Sequence, residues 1–279
     1  MVLSLQLAHR LEDKNVLLIG AGEVALTRLF KLVPTGCKVT LIAPEINAGI
    51  VDKFCPYIRD LDIDYDVEEE IIDPEWDLFK GKHAFKVIKS EFKESHLSMY
   101  KIDQDSGIAF IMTCIPNPEL SEFIYHKSKE LFGSQQMVNV ADNPPLCDFY
   151  FGANLNLGSS IESNSTLQLL ISSNGSSPRF TALIKNEIEK LLKDIDIESS
   201  VKKLGQLRTA IRNKSNTQQD LKYRMEWIKN MTDIFGTQHC HQININRVVD
   251  LYDTMYKNNK SLEFPSNKEM IELYTSPSS

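Results

Sequence analysis

"NVLLIGAGEVALTRLFKLVPTG", residues 15–36, decides the fold. The apolar run Val16 to Ile19 ends in glycine, as a strand buried on both faces of a parallel sheet does. Val24, Leu26, Leu29, Leu32 and Val33 then recur at helical spacing, until Pro-Thr-Gly stops the helix. Between strand and helix stands Gly20-Ala21-Gly22-Glu23-Val24-Ala25, the GxGxxG/A pattern in the setting that gives it meaning. Gly20 permits a tight turn, Gly22 lets backbone approach a pyrophosphate, and Ala25 allows close helix–sheet packing. The helix start adds unpaired N–H groups and the positive end of its dipole. The stretch predicts a dinucleotide site lined by Gly20, Gly22, Glu23 and Val24. The competing reading is a glycine turn kept only for packing.

The same rhythm runs outward. "CKVTLIA" (37–43), "AFKVIKS" (84–90), "AFIMTC" (109–114) and "MVNVA" (137–141) read as further strands, and "PELSEFIYHKSKELFG" (118–133) as an amphipathic helix. Strands alternating with helices predict an α/β fold, a Rossmann-like doubly wound parallel sheet. After Phe151 the pattern changes: "TLQLLISS" is a strand, "NGSSPRF" a turn and "TALIKNEIEKLLKDI" a helix. Helices over 197–213, 217–235 and 244–259 follow, then a polar tail, with "NKSNTQQD" (213–220) as a linker.

The net charge of −7 argues against nucleic acid as a partner. The acidic run 60–77, without a Lys or Arg, reads as a solvated loop. Residues 178–231 hold twelve Lys/Arg against seven Asp/Glu, which suits an anionic ligand or a plain solvated surface. Five scattered cysteines without a CxxC pair fit a reducing compartment. Glu23 and Arg28 interrupt the most apolar window, so no membrane span is expected; the start "MVLSLQLAHRLEDK" has charges where the apolar part of a signal peptide would be, and the location expected is the cytoplasm.

Candidate site residues cluster at strand ends. The second strand closes at Ala43-Pro44-Glu45; Glu45 can reach a ribose and no Arg stands there for a 2′-phosphate, which favours NAD over NADP. Thr113, Cys114 and Ile115 end a central strand, where they either line the nicotinamide ribose or simply connect strand to helix. Asp142 ends the "VNVA" strand before Pro144 and Pro145, as a turn residue or as a general base beside a nicotinamide. In "SSNGSSPRF" Ser176 or Ser177 can cap the next helix, and Arg179 lies on the side of its free N–H groups, suited to a carboxylate. Arg208 and Arg212 share a helix face opposite Leu204, Leu207 and Ile211. In an extended segment His239 and His241 would share a face, but two such ligands without a third make a weak metal site.

The stretches "SLQLAHRLEDKNVLLIGAGEVALTRLFKLVPTGCK", "IMTCIP", "VNVAD", "LCDFYFGANL", "ISSNGSSPRF", "YRM" and "FGTQHCH" resemble the fungal form of siroheme synthase, a bifunctional precorrin-2 dehydrogenase and sirohydrochlorin ferrochelatase. The resemblance implies an NAD-binding domain over 1–148, an α+β dimerisation region over 149–213 and a C-terminal helical region over 214–279, in an intertwined homodimer. It also implies oxidation of precorrin-2 by NAD⁺, then insertion of Fe²⁺ as a substrate. Asp142 falls on the residue tied to both reactions. Ser173, Asn174 and Gly175 fall on a segment that places a serine in the active-site cleft. Arg179, Arg208 and Arg212 are the candidates for holding the carboxylate-rich tetrapyrrole. Asn-Pro-Pro after Asp142 departs from a commoner Lys-Pro-like sequence, and no metal ligand is assigned. The alternative is an NAD-dependent dehydrogenase of another anionic small molecule, without chelatase activity.

Overall fold

The structure, a computed structural model, describes residues 4–59, 61, 68–100, 107–158 and 167–276. It divides into two compact units, Met1–Phe151 and Gly152–Ser279. Phe149, Tyr150 and Phe151 therefore go with the first unit rather than with the region after 148. The reason is packing: Phe149 stacks on Phe110 at 4.6 Å, and Phe149 and Phe151 both lie against the first unit's core.

In the first unit β1 (Asn15–Ile19), β2 (Lys38–Ile42), β3 (Glu69–Ile72), β4 (Lys86–Lys89), β5 (Ile108–Thr113) and β6 (Met137–Val140) form one sheet in the order β3-β4-β2-β1-β5-β6. All pairings are parallel except that of β3, which runs antiparallel at the edge. Helices α1 (Glu23–Leu32), α2 (Ala48–Phe54), α3 (Trp76–Phe79), α4 (Ser95–Ser98) and α5 (Pro118–Phe132) connect them. Successive strand side chains point to opposite faces, and the cores follow. Val16 and Leu18 of β1 pack with Ala25 and Leu29 of α1, while Leu17 and Ile19 pack with Ile124 of α5 on the other face. Two buried faces explain why these strands are continuously apolar.

The acidic run is not a loop throughout. Among its described residues, Glu69 and Glu70 lie in β3, with Glu70 paired to Lys86 of β4 at 2.8 Å. Asp73 is buried and holds His83 at 2.9 Å. Glu68 is bonded by Lys93 and by His96. Charge density alone hid an edge strand, one of whose carboxylates, Glu70, finds its partner on the next strand.

The second unit opens with an antiparallel pair, β7 (Ala153–Leu157) and β8 (Leu167–Ile171), followed by α6 (Pro178–Leu192). Strand β7 was not expected: "ANLNL" alternates as a half-buried strand does, but over a short run and with Asn, which strands disfavour, at the polar positions. Helices α7 (Ile197–Lys214), α8 (Leu221–His239), α9 (Ile245–Lys257) and α10 (Asn267–Tyr274) enclose a separate core around Trp227, Tyr252 and Phe235. Leu207 and Ile211 of α7 are buried in that core, so the helical part starts with α7 rather than after it at 214. The expected polar tail contains α10 instead. A Ser266–Glu269 capping box starts that helix and Met270 anchors it in the core. Among the described residues no helix is long and apolar enough to cross a membrane.

Asp220, buried before α8, pairs with Lys260 at 2.8 Å. The hydrogen bond from Lys260, helped by Thr217, holds its carboxyl down to about 2 against an ordinary 3.8. A depressed carboxyl pKa adds stability above the unfolded value and loses it as pH falls through the folded one. Asp220→Asn should therefore lower the melting temperature at neutral pH, and the gap to wild type should close as pH drops from 3.8 towards 2. Thermal melts read by Trp227 fluorescence, in a Trp76→Phe background, measure this. A gap that stays constant to the acid end would show that the pair is not the source.

Candidate active site

The site is built where the C-terminal ends of β1, β5 and β6 meet the start of α1. Three backbone bonds lock these ends together. Gly20 N–H donates to Ile42 O at 2.8 Å, Cys114 N–H to Ile19 O at 2.7 Å, and Ala141 N–H to Thr113 O at 3.0 Å. Gly20 has φ 97°, and a Cβ there would sit 2.4 Å from Cys114 O. Glycine is thus required twice over, by conformation and by contact with the neighbouring strand end. At Gly22, by contrast, an added Cβ would meet nothing within 4 Å. It is the N-cap of α1, with no side-chain cap on the first-turn amides. Packing gives no reason for glycine at 22. Open space over uncapped helix N–H groups fits a pyrophosphate.

The other residues expected from sequence to meet a cofactor follow this turn and the neighbouring strand ends. Glu23 accepts a bond from Asn47 Nδ2 at 2.7 Å, and Asn47 N–H donates to Ala21 O, so the segment after β2 is tied to the glycine turn. Ala43 is buried at the end of β2, Glu45 is exposed beyond it, and Val24 is partly exposed on α1. Thr113 is buried and its hydroxyl has no hydrogen-bond partner. Ile115 lies beside Gly20, 2.9 Å from where a Cβ would be.

Asp142 lies two residues past β6 with φ 59°, in the left-handed region. Asp tolerates that region better than most residues, yet it is an uncommon conformation. Asp142 is exposed, and its carboxylate makes no hydrogen bond or ion pair with a described residue. It is not the cap of the following turn, whose N-cap is Asn143. The chain after it is pinned. Asn139 donates to Phe149 O at 2.8 Å, and Asp148 accepts from Val138 N–H at 2.8 Å and from Lys129 at 2.6 Å. The turn is held by its neighbours, and the Asp142 carboxylate is left free.

One group that acts on Cys114 together with Asp142 was not singled out from sequence. Arg28, in the second turn of α1, places its guanidinium 4.5 Å over the Phe151 ring and beside the Cys114 thiol. Burial pushes that thiol up to about 11 against the opposing effect of Arg28, with Asp142 adding to the rise, so it is neutral at pH 7. Burial also raises Cys147. The one sequence signal for Arg28 was a charge interrupting the most apolar window of the chain.

The remaining candidates belong to the second unit. Ser173 Oγ accepts from Ser177 N–H at 2.9 Å, and Ser172 Oγ from Asn174 N–H at 3.1 Å. Asn174 and Gly175 are both left-handed. The expected cap differs: Ser177 is the N-cap of α6 but makes no side-chain cap bond, because the serine ordering this loop is Ser173. Arg179 is exposed in the first turn of α6. Arg208 and Arg212 are exposed on α7 and line a 700 Å³ groove with Met225 and Lys229 of α8. His239 ends α8 and His241 lies in a helical turn, not in an extended segment. Among the described residues no three His, Cys, Asp or Glu side chains form a metal-holding group.

Comparison with known proteins accounts for both units. A family described as putative NAD(P)-binding matches residues 7–153, the sirohaem biosynthesis protein central family 164–191, and its C-terminal family 194–262. A siroheme biosynthesis protein of Schizosaccharomyces pombe is 24% identical across 88% of this chain and 77% of its own. The solved structure of SirC, precorrin-2 dehydrogenase, has the same fold, with a TM-score of 0.56 at 20% identity over 91% of this chain and 100% of its own. The siroheme biosynthesis protein of Saccharomyces cerevisiae is 48% identical over 99% of this chain and 100% of its own. With that identity along the full length of both chains, the protein belongs to the siroheme biosynthesis family.

Proposed function

We propose that the protein oxidises precorrin-2 to sirohydrochlorin with NAD⁺ and then inserts Fe²⁺ to give siroheme, with Asp142 as the general base of both steps. The observation that carries this is the free Asp142 carboxylate, held by a pinned turn at the strand ends beside the glycine loop. Open α/β sheets bind ligands at that crevice. Bound there, NAD⁺ supplies the hydride acceptor. Gly20, Gly22, Glu23 and Val24 receive its pyrophosphate, Ala43 and Glu45 its adenosine side, and Thr113, Cys114 and Ile115 its nicotinamide side.

Dehydrogenation sends a hydride to the cofactor and releases a proton, and metal insertion releases the protons of pyrrole nitrogens. One carboxylate facing the tetrapyrrole accepts protons in both. Cys114, neutral at pH 7, lines the site and does not compete as a base. Ser173, Asn174, Gly175, Arg179, Arg208 and Arg212 are assigned to the tetrapyrrole and its carboxylates. A dehydrogenase acting on another small anion would need Asp142 for one reaction only.

The active form in this reading is a homodimer. Helix α6 exposes Phe180 (60%), Leu183 (44%) and Leu191 (78%), and the β7–β8 pair exposes Leu167 and Leu170. A two-stranded sheet with one apolar-striped helix is marginal alone, and a second copy covers such a face.

Three outcomes test the reading. Gly22→Asp fits sterically but puts bulk and negative charge where the pyrophosphate lies. It should abolish dehydrogenation while largely sparing Fe²⁺ insertion into pre-made sirohydrochlorin; equal loss of both in a folded variant would break the separation. Asp142→Asn keeps the left-handed turn, which Asn also tolerates, but cannot take a proton. Single-turnover hydride transfer and Fe²⁺ insertion should both fall by about 100- to 10,000-fold, with NAD affinity near wild type. A fall in only one rate would end the shared-base assignment, and no fall in either would make Asp142 structural. Light scattering should give a dimer at micromolar concentration and a monomer for Phe180→Glu combined with Leu183→Glu; a monomeric wild type removes the dimer.

A further inference from the structure

We propose that Arg28 is a substrate-binding residue whose guanidinium holds a carboxylate of the tetrapyrrole beside Asp142; this rests on the function proposed above. Arg28 is half-buried, and its Nε is buried without a hydrogen-bond partner. Among the described residues no carboxylate lies within ion-pair distance of it. Its neighbours are the Phe151 ring, with the guanidinium 4.5 Å from the centroid, and the thiol of Cys114, with Cys147 also in electrostatic range. Neither thiol carries a charge at pH 7 to neutralise the cation.

A partly buried cation without an anion is costly to keep. Asp142 would be the obvious partner, since both residues act on the Cys114 thiol, yet they form no ion pair. One crevice thus holds an unpaired cation and an unpaired carboxylate. The carboxylate is suited to take protons. The cation, stacked on an aromatic ring with a planar fork of donors, is suited to grip an anionic oxygen group.

Two anions could meet it, a substrate carboxylate or the cofactor's pyrophosphate. The pyrophosphate already has the uncapped amides at Gly22. Arg28 lies a turn and a half further along α1, beside Cys114 and Cys147, residues that follow the ends of β5 and β6. That placement favours the group that also meets Asp142, the carboxylate of the tetrapyrrole.

The test titrates sirohydrochlorin and, separately, NAD⁺ into wild type, Arg28→Gln and Arg28→Lys, by absorbance and tryptophan fluorescence. A hydrogen bond to a charged group is worth about 1.5–3 kcal/mol. Arg28→Gln should therefore weaken sirohydrochlorin binding about 10- to 100-fold, with Arg28→Lys intermediate and NAD⁺ affinity unchanged. A second measurement needs only the wild-type protein: sirohydrochlorin, but not NAD⁺, should protect Arg28 from phenylglyoxal, read by mass spectrometry. Unchanged sirohydrochlorin affinity in folded Arg28→Gln, an equal loss of NAD⁺ affinity, or protection by NAD⁺ alone would each overturn the assignment and leave the proposed function standing. A wild type that binds no sirohydrochlorin would overturn both.

Discussion

The contact on which the first unit depends is the approach of Gly20 to the backbone of Cys114. The end of β1 lies against the end of β5 so closely that a single Cβ would overlap a carbonyl oxygen. The bond from Cys114 N–H to Ile19 O fixes that approach. The chain leaves β1 for β2 on one side, while β5 lies on the other. Between them opens the crevice where α1 begins with uncapped amides. A larger residue at 20 would force the strand ends apart and disturb the glycine turn between them.

Around that contact polar bonds, some of them to carboxylates, fix position, and two charges stay outside them. Asn139 and Asp148 tie the segment after β6 back to the strand, and Asn47 ties the segment after β2 to Glu23. Arg28 and Asp142, charges beside the strand ends, are left out of those ties. Salt bridges elsewhere in the first unit, such as Asp52–Arg59 and Glu70–Lys86, pair opposite charges directly. The difference separates groups that hold the fold from the two charges that the proposals assign to ligands.

The second unit solves a different problem. Its helices α7 to α10 close a core of their own around Trp227, with Asp220 and Lys260 pairing at its margin. Its hairpin and α6 keep large apolar side chains at the surface. One chain therefore carries a self-sufficient helical core and an exposed apolar face.

By itself the sequence determined the parallel sheet, the glycine turn and most helices, because these follow from local periodicity and from residue types with few backbone alternatives. It also singled out Asp142, since an acid between a buried run and two prolines is visible in one dimension. It missed β3, β7 and α10, and with them the short helices α2, α3 and α4. Each is short, and β3, β7 and α10 each need a partner outside their own segment: β4 for β3, β8 for β7, and the Trp227 core for α10. Only the tertiary structure decided that the Asp142 carboxylate is unpaired and that Arg28 stands near it, because α1 and the segment from 142 to 151 meet over Phe151, more than a hundred residues after the glycine turn. Whether a charge is satisfied is a property of its neighbours in space, and linear spacing carries no record of them.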